Sequence, residues 1–397
     1  MSIVLKNANV ITMTDEKILS NTDILVENDR ITNVSTNITD AEVIDCSGKY
    51  IIPGLADMHV HINLTSDEDM KLFVANGITC VRNMNGSESA LKMKEKTTNE
   101  RDFVCPLIYT STPILDGHPP VFPFNVVLET PEEARAYILK AKEDGYDFLK
   151  VYNNLKIPVY KEILKTAKET GLDVIGHIPA AVGAEMAIEC GQYGFEHIKA
   201  LKRDQLAPAA KAGIYFTPTL IVQKIIRMIK NDSITEDMYD DGIMKYVSPE
   251  VKARWRETVK FYKVHDFKLD RSFEEYVADA KVFLDFGGKL LAGTDAQNPF
   301  VVFGFSLHDE LELLAQSGIS CYEILKTATV NGAESNHQEK QWGTIQPGKC
   351  ANLVVLNSNP FENIGNARDI SAVILKGKHY NRKALDGFLT QVAQSYL

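Results

Sequence analysis

The feature that most constrains the fold is an alternation of apolar, strand-like segments with helix-like segments between about residues 55 and 343. Eight segments have the composition of buried strands, and stretches with 3.6-residue periodicity separate most of them. They are ADMHVHI, ITCVRNM, LIYTSTPI, FLKVY, LDVIGHIP, FEHI, GIYFTPTL and KLLAGTDA. Eight strand–helix units in about 290 residues predict a (β/α)8 barrel. A doubly wound sheet is the alternative, but no GxGxxG motif follows the first strand.

The two ends of the chain differ from the middle, because their β-type segments have no helices between them. Near the start, DILVENDRITNV has the pattern of a hairpin with Asn28-Asp29 as its turn. Neither end alone has enough strands for a stable sheet. We therefore predict that residues 1–54 and 344–397 pair into one small β-sandwich domain beside a barrel domain of residues 55–343. Two separate flaps on the barrel are the alternative.

Composition and charge exclude several classes of function. The 397 residues include 43 Lys and Arg against 53 Asp and Glu, a net charge of −10, which argues against nucleic acids and anionic membranes as partners. No apolar run has the roughly 18 residues of a membrane span, and the first residues do not resemble a signal peptide. Six cysteines without a CxxC pair indicate reduced thiols. We expect a cytoplasmic protein that acts on a small molecule, and a homo-oligomer stays open.

Two histidines on the first predicted barrel strand suggest a metal site. His59 and His61 are two residues apart, so on a strand they point to the same side, together with Asp57. Two converging imidazoles suit a transition metal. A single histidine in a core strand is more often a structural residue, but a pair on one face is harder to explain in that way.

Three further residues end predicted strands. His177 ends LDVIGHIP, His197 lies in FEHI, and Asp295 lies in KLLAGTDA after Gly293, which allows close backbone packing. Barrel enzymes place their catalytic groups at these carboxyl ends. Each histidine alone would suit a core position, and Asp295 could instead cap a helix. A buried carboxylate needs a partner, which a metal would supply.

Lys150 lies inside the apolar strand FLKVY, where lysine is unusual. Burial lowers the pKa of an amine and makes it a nucleophile. With CO₂ such an amine can form a carbamate, an anion with two oxygens that could bridge two metal ions. The simpler alternative is a lysine whose ammonium reaches solvent at the strand end.

Taken together, this order of residues resembles the amidohydrolase superfamily, the metal-dependent hydrolases on a distorted TIM barrel. The similarity covers nearly the whole chain, including the closing segment GTIQPGKCANLVVLN, where Asn352 stands in place of the usual aspartate. The motifs that carry the resemblance are PGLADMHVH at 53–61, KVY at 150–152, GH at 176–177, EH at 196–197 and GTD at 293–295.

Lys150 and the GHIP stretch are most similar to the binuclear branch that contains prolidase-like dipeptidases and imidazolonepropionase-related proteins. The resemblance implies two zinc ions per chain. It assigns His59, His61 and Asp295 to one zinc, His177 and His197 to the other, and carboxylated Lys150 with a hydroxide to the bridge between them.

The implied activity is hydrolysis of C–N bonds in an amide, a dipeptide or a cyclic amide. Two zinc ions lower the pKa of the bridging water, the resulting hydroxide attacks the carbonyl, and Asp295 passes the proton to the leaving amine. The alternatives are an ester, lactone or phosphoester hydrolase on the same site, and a mononuclear deaminase, which would not need Lys150. A scaffold protein on a degenerate fold would be expected to lack metal ligands.

Two residues are candidate substrate contacts. His118, in ILDGHPP, follows the third predicted strand on a loop, and Tyr152 comes directly after the strand that contains Lys150. Tyr152 could hydrogen-bond a tetrahedral intermediate or a substrate carboxylate, or simply pack as an aromatic residue. Three basic residues after His197 could attract an anion or be surface residues: Lys199, Lys202 and Arg203. The charged segment from about 222 to 282 is expected to cover the barrel mouth or extend the seventh helix.

Overall fold

A computed structural model describes residues 2–39, 41–63, 65–264, 269 and 271–396. Its strands are β1 (Ser2–Ile11), β2 (Ile18–Glu27), β3 (Arg30–Ser35), β4 (Glu42–Asp45), β5 (Tyr50–Pro53), β6 (Leu55–Val60), β7 (Ile78–Asn83), β8 (Leu107–Thr110), β9 (Leu115–Asp116), β10 (Val126–Val127), β11 (Phe148–Val151), β12 (Asp173–Gly176), β13 (Gly194–Glu196), β14 (Tyr215–Thr217), β15 (Lys289–Leu290), β16 (Leu353–Leu356), β17 (Ile370–Leu375) and β18 (Lys378–Asn381). Its α-helices are α1 (Met70–Ala75), α2 (Glu88–Asn99), α3 (Pro131–Glu143), α4 (Ile157–Thr170), α5 (Gly183–Glu189), α6 (Arg203–Lys211), α7 (Leu220–Lys230), α8 (Pro249–Val264), α9 (Phe273–Asp285), α10 (Phe305–Gln316), α11 (Cys321–Thr327), α12 (Val330–Ser335) and α13 (Arg382–Gln394).

Strands from both ends of the chain form one eight-stranded sheet. Its order is β18-β17-β16-β5-β1-β2-β3, with β4 paired to β1. The two ends meet where β16 pairs antiparallel with β5, with Leu353 opposite Pro53. The predicted hairpin is confirmed, because Glu27 faces Arg30 across the Asn28-Asp29 turn. Both ends therefore share a sheet as predicted, while its separation as a β-sandwich domain stays a prediction.

The middle of the chain is an α/β fold of TIM-barrel-like type. Each of the eight predicted segments contains a strand. Three strands form the parallel sheet β6-β7-β8, and the others belong to the parallel sheet β10-β9-β11-β12-β13-β14-β15. Isolated parallel bridges join the two sheets, one between Val60 and Ala296 and one between Ser111 and Phe148. The sequence did not predict β9 and β10, because strands of two residues carry no periodic pattern.

Local sequence signals explain where the helices between these strands begin and end. The helix α3 begins after Thr130, whose side chain forms a capping box with Glu133, and Pro131 occupies its first turn. The helix α4 ends at Gly171, which has a φ of +67° that favours glycine. Both helices therefore begin or end where the sequence predicts, and they return the chain to the same end of the sheet.

Helix α8, which belongs to the long segment between β14 and β15, lies over the residues that follow Asp295. Trp255 and Arg254 of α8 donate to the backbone oxygen and the side-chain oxygen of Gln297, at 3.0 and 2.9 Å. Tyr262 of the same helix donates to Asn298 Oδ1 at 3.0 Å. The helix thus covers one side of the carboxyl end of the sheet, as expected. Within the described ranges, none of the helices combines the length and apolar character that a bilayer crossing requires.

Candidate metal centre

The six predicted ligand residues lie at the carboxyl ends of parallel strands. Lys150 belongs to β11, and four of the others lie in or directly after β6, β12 and β13: His59, His61, His177 and His197. Asp295 lies in the segment that follows β15, after residues 291–294. Because parallel strands end at the same edge of a sheet, residues far apart in sequence meet there. The positions follow the prediction, and the contacts below show which side chains meet.

Three of these residues present their ligand atoms to one another. His61 Nε2 lies 2.9 Å from Asp295 Oδ1, and His59 Nε2 lies 3.4 Å from the same oxygen. One ligand atom from each of the three residues lies within 4.8 Å of the others. His59 Nε2 is buried and makes no hydrogen bond with the described residues. Two imidazoles and a carboxylate at this spacing suit a divalent transition metal.

The rings of His177 and His197 extend this group. The ring centroid of His197 lies 4.8 Å from that of His59 and 4.8 Å from that of His177. His197 Nδ1 lies 3.9 Å from Asp295 Oδ2, the carboxylate oxygen that faces away from His61. Four imidazoles and one carboxylate therefore form a continuous cluster.

Three of the histidines have their Nδ1 atom engaged by protein. His59 Nδ1 donates to Glu196 Oε2 at 2.6 Å, and His177 Nδ1 donates to Asn153 Oδ1 at 2.7 Å. His197 Nδ1 hydrogen-bonds with Thr219 Oγ1 at 2.8 Å. A partner on one ring nitrogen fixes the ring and leaves Nε2 available, which is the usual arrangement around metal-binding histidines.

Close backbone packing between β6 and the segment after β15 brings Asp295 to His59. The Asp295 N–H donates to the His59 carbonyl oxygen at 2.8 Å. Asp57 accepts from the Thr294 N–H and hydroxyl, at 3.0 and 2.7 Å. A Cβ on Gly293 would lie 2.9 Å from the His59 nitrogen, so only glycine fits there. The predicted role of Gly293 is confirmed, and Asp57 supports the Asp295 segment instead of facing the histidines.

The protonation states of the cluster suit metal binding. Burial lowers the pKa of His59, His177 and His197 well below the usual value, so their imidazoles are neutral at pH 7. Burial opposes ionisation of Asp295, but the adjacent histidines outweigh it and hold the pKa of that carboxyl well below its usual range. Neutral imidazoles and an ionised carboxylate are the forms that coordinate cations.

Lys150 is buried beside this cluster, with 1% of its surface exposed. A Cβ on Gly176 would lie 3.1 Å from Lys150 Cδ, so the aliphatic chain runs past the residue before His177. Among the described residues, Nζ makes no hydrogen bond. Burial lowers the pKa of Lys150 to about 8, although Glu196 and Asp295 oppose this shift. The structure therefore does not place Lys150 in solvent, which was the simpler alternative.

A buried ion pair behind His59 was not predicted from the sequence. Glu196 Oε1 accepts from Arg82 Nη2 at 2.8 Å, while Glu196 Oε2 accepts from His59. Arg82 also donates to the Met58 carbonyl oxygen at 2.8 Å and to Thr217 Oγ1 at 3.1 Å. Arg82 lies inside the apolar segment ITCVRNM, which is the same signal that identified Lys150. The pair and its hydrogen bonds connect β6 and β7 with β13 and β14, so they join the two parallel sheets behind His59.

Replacing Arg82 by methionine is expected to lower the free energy of unfolding by about 3–5 kcal/mol, because Glu196 would be left as a buried, unpaired charge. Urea unfolding followed by circular dichroism measures this change. The control is Lys92→Met, which breaks the exposed ion pair with Glu88 and should leave the unfolding midpoint unchanged. Equal midpoints for both variants would show that the buried pair does not stabilise the site.

The candidate substrate residues differ in how close they lie to the histidine cluster. The ring of Tyr152 lies 4.0 Å from that of His177, so Tyr152 borders the cluster. His118 is exposed, and no contact within the described parts of the chain joins it to the histidines. The three basic residues after His197 are also exposed: Lys199, Lys202 and Arg203. The sequence did not identify Tyr262, because only the fold brings its hydroxyl to Asn298, close after Asp295 in the chain.

Comparison with known proteins identifies relatives over nearly the whole chain. A model of the amidohydrolase family matches residues 50–379. A 5-methylthioadenosine/S-adenosylhomocysteine deaminase of Caldanaerobacter subterraneus subsp. tengcongensis is 23% identical, over 95% of this chain and 92% of the relative. Among solved structures, a bottromycin amidohydrolase has a TM-score of 0.83 at 21% identity, covering 100% of this chain and 90% of that chain. A Xaa-Pro dipeptidase has a TM-score of 0.76 at 19% identity, covering 96% and 100%.

Proposed function

Because the chain belongs to the amidohydrolase family, we propose that it is a binuclear zinc-dependent hydrolase that cleaves C–N bonds in a small-molecule amide, dipeptide or cyclic amide. The observation that carries the proposal is the position of Lys150, a buried amine at the edge of four imidazoles and a carboxylate. Such a set has more donors than one ion needs. The names of relatives, a deaminase and a dipeptidase, agree with chemistry at C–N bonds.

In this proposal the donors divide into two groups. His59, His61 and Asp295 would hold one zinc, His177 and His197 would hold the other, and Lys150, carboxylated by CO₂, would serve both. When bound, the two ions supply Lewis-acid polarisation of the substrate carbonyl and lower the pKa of a water towards about 7. The hydrogen bonds on Nδ1 of three histidines support the assignment, because they leave Nε2 for coordination.

The protein side chains supply the proton transfer and the orientation of substrate. We assign Asp295 Oδ2 as the atom that accepts the proton of the attacking water and returns it to the leaving nitrogen, since Oδ1 faces His61 and His59. Tyr152, beside His177, would donate a hydrogen bond from its hydroxyl to the substrate. Burial raises the pKa of Tyr152, so the hydroxyl stays protonated. His118 is a weaker candidate, because it lies at the surface.

The proposed domain division supports this chemistry. Residues 55–343 would form a barrel domain that carries every proposed ligand, and residues 1–54 with 344–397 would form the small β-sandwich. The eight-stranded sheet built from both ends is the observation in favour of this division.

A mononuclear deaminase is the second candidate. The group formed by His59, His61 and Asp295 could hold one ion without help, and a relative named as a deaminase matches 95% of the chain. Lys150 separates the two candidates, since a mononuclear site gives a buried lysine at this position no task.

A hydrolysis screen of the zinc-loaded protein tests the proposed function. We expect turnover of at least one class among N-acyl amino acids, dipeptides and cyclic amides, and no release of ammonia from adenine nucleosides. His61→Ala should abolish this turnover, whereas His337→Ala should retain it, because His337 is exposed and pairs with Asp173. Ammonia release from an adenine nucleoside, without amide hydrolysis, would contradict the proposal and favour the deaminase.

A further inference from the structure

Hydrogen bonds to a buried carboxylate fix the conformation of the loop between β9 and β10. We call residues 117–125 the aromatic loop. The buried carboxylate of Asp116 accepts hydrogen bonds from the backbone N–H of Val121 at 2.9 Å and from Asn125 Nδ2 at 3.0 Å. It also accepts from the N–H of Asn154 at 2.8 Å, which ties the loop to the segment after β11. The hydrogen bonds to Asp116 therefore hold the aromatic loop in place beside the segment that follows β11.

A series of rings leads from the metal-ligand cluster to the tip of this loop. The ring centroid of Tyr152 lies 4.0 Å from His177, and that of Phe122 lies 6.1 Å from Tyr152. Phe122 and Phe124 stack with their centroids 5.2 Å apart and their planes within 4° of parallel. One end of the series thus contacts a proposed zinc ligand, and the other end reaches the surface.

The outer end of the series is exposed to an unusual degree for residues of its type. Phe124 has 60% of its surface exposed, and Val121 has 36%. Scattered apolar residues on a surface are normal, but a contiguous exposed apolar group more often marks a binding site. Phe122 and Phe124 form such a group, because they stack on each other and continue to Tyr152 and His177. An isolated exposed side chain would show no such continuity.

We propose that the aromatic loop and Tyr152 form a substrate subsite that receives an aromatic side chain located next to the scissile C–N bond. Aromatic rings favour such a ligand because they bury a large apolar area and stack at centroid distances of about 4.5–7 Å. This inference rests on the proposed function and adds the substrate class: amides or dipeptides that carry an aryl group. The loop residues determine specificity and take no part in bond breaking.

The test compares two probes that differ in the aromatic group, N-acetylphenylalanine amide and N-acetylalanine amide. The zinc-loaded protein is examined with each, by KM where turnover occurs and by calorimetric Kd where it does not. The wild type should prefer the phenylalanine probe. Phe122→Ala/Phe124→Ala should weaken binding of the phenylalanine probe by about tenfold, the cost of losing much of one aromatic contact, and should change binding of the alanine probe less than twofold.

Two controls make the result specific to the loop. Phe286→Ala removes another exposed phenylalanine, between α9 and β15 at the amino end of the strands, and should leave both probes unchanged. Phe124→Trp keeps an aromatic surface and should retain the preference. Metal content and melting temperature of every variant verify that the fold and the metal centre are intact.

Every outcome either supports or overturns the proposed subsite. Equal affinity of the wild type for both probes, no measurable binding of the phenylalanine probe, or an unchanged preference in the double variant would overturn it. Binding is measured independently of turnover, so a protein that prefers the phenylalanine probe but hydrolyses no C–N bond would keep the subsite and refute the proposed function. Hydrolysis without any aromatic preference would do the reverse.

Discussion

Lys150→Ala is expected to bind about one metal ion per chain, against the two expected for the wild type. Its activity should fall by more than the roughly 10- to 100-fold that follows loss of a residue that only supports a metal ligand. A protonated amine between two cations would repel both, whereas a carbamate is an anion and attracts both. Alanine would remove the proposed bridge. Elemental analysis and steady-state kinetics measure the two effects, with Lys202→Ala as the exposed control.

The origin of the effect can be tested by chemical rescue. Acetate or propionate should restore part of the second metal and part of the activity in Lys150→Ala, because a small carboxylate fits the space left by the side chain. Bicarbonate should in turn speed metal loading of the wild-type apoprotein. Full metal content and normal turnover in Lys150→Ala would show that the buried lysine is only structural.

Asp295→Asn is expected to retain most of its metal and to lose about 10²- to 10⁴-fold in kcat, the usual contribution of a positioned general base. The amide keeps the shape of the side chain and one coordinating oxygen, but it does not accept the proton. Metal analysis together with kcat and KM distinguishes loss of the base from loss of the metal centre.

The matched control for this variant is Asp285→Asn. Asp285 is exposed and pairs with Lys281 on the surface of the protein, so its replacement should change neither quantity. If Asp295→Asn turned over substrate at a rate near the wild type, Asp295 would have no part in the proton transfer.

Apart from β9 and β10, the strands between residues 55 and 343 and the proposed ligand positions could be predicted from the sequence, because both follow local rules. Apolar strands alternate with periodic helices, and polar residues such as His59 and Asp295 stand out at the ends of apolar strands. The structure has a strand in each of the eight predicted segments and brings His59, His61 and Asp295 together. Asp57 could not be assigned, since its partner Thr294 lies more than 200 residues away.

The residues that surround the proposed ligands could not be predicted from local sequence patterns. Arg82 and Glu196 each had a visible signal, a charge within an apolar strand, but nothing in the sequence pairs them. The aromatic loop was also hidden, because the spacing of Phe122 and Phe124 fits neither a helix nor a regular strand and only the fold brings them to Tyr152. Long-range contacts of this kind depend on the three-dimensional path of the chain.

The most direct test of the account is a crystal structure of the zinc-loaded protein prepared with bicarbonate, with anomalous scattering recorded at the zinc edge. The account predicts two anomalous peaks per chain, one beside His59, His61 and Asp295 and one beside His177 and His197. It also predicts density for three additional atoms beyond Lys150 Nζ. A single peak beside His59, His61 and Asp295, with an unmodified Lys150 amine, would contradict the binuclear centre.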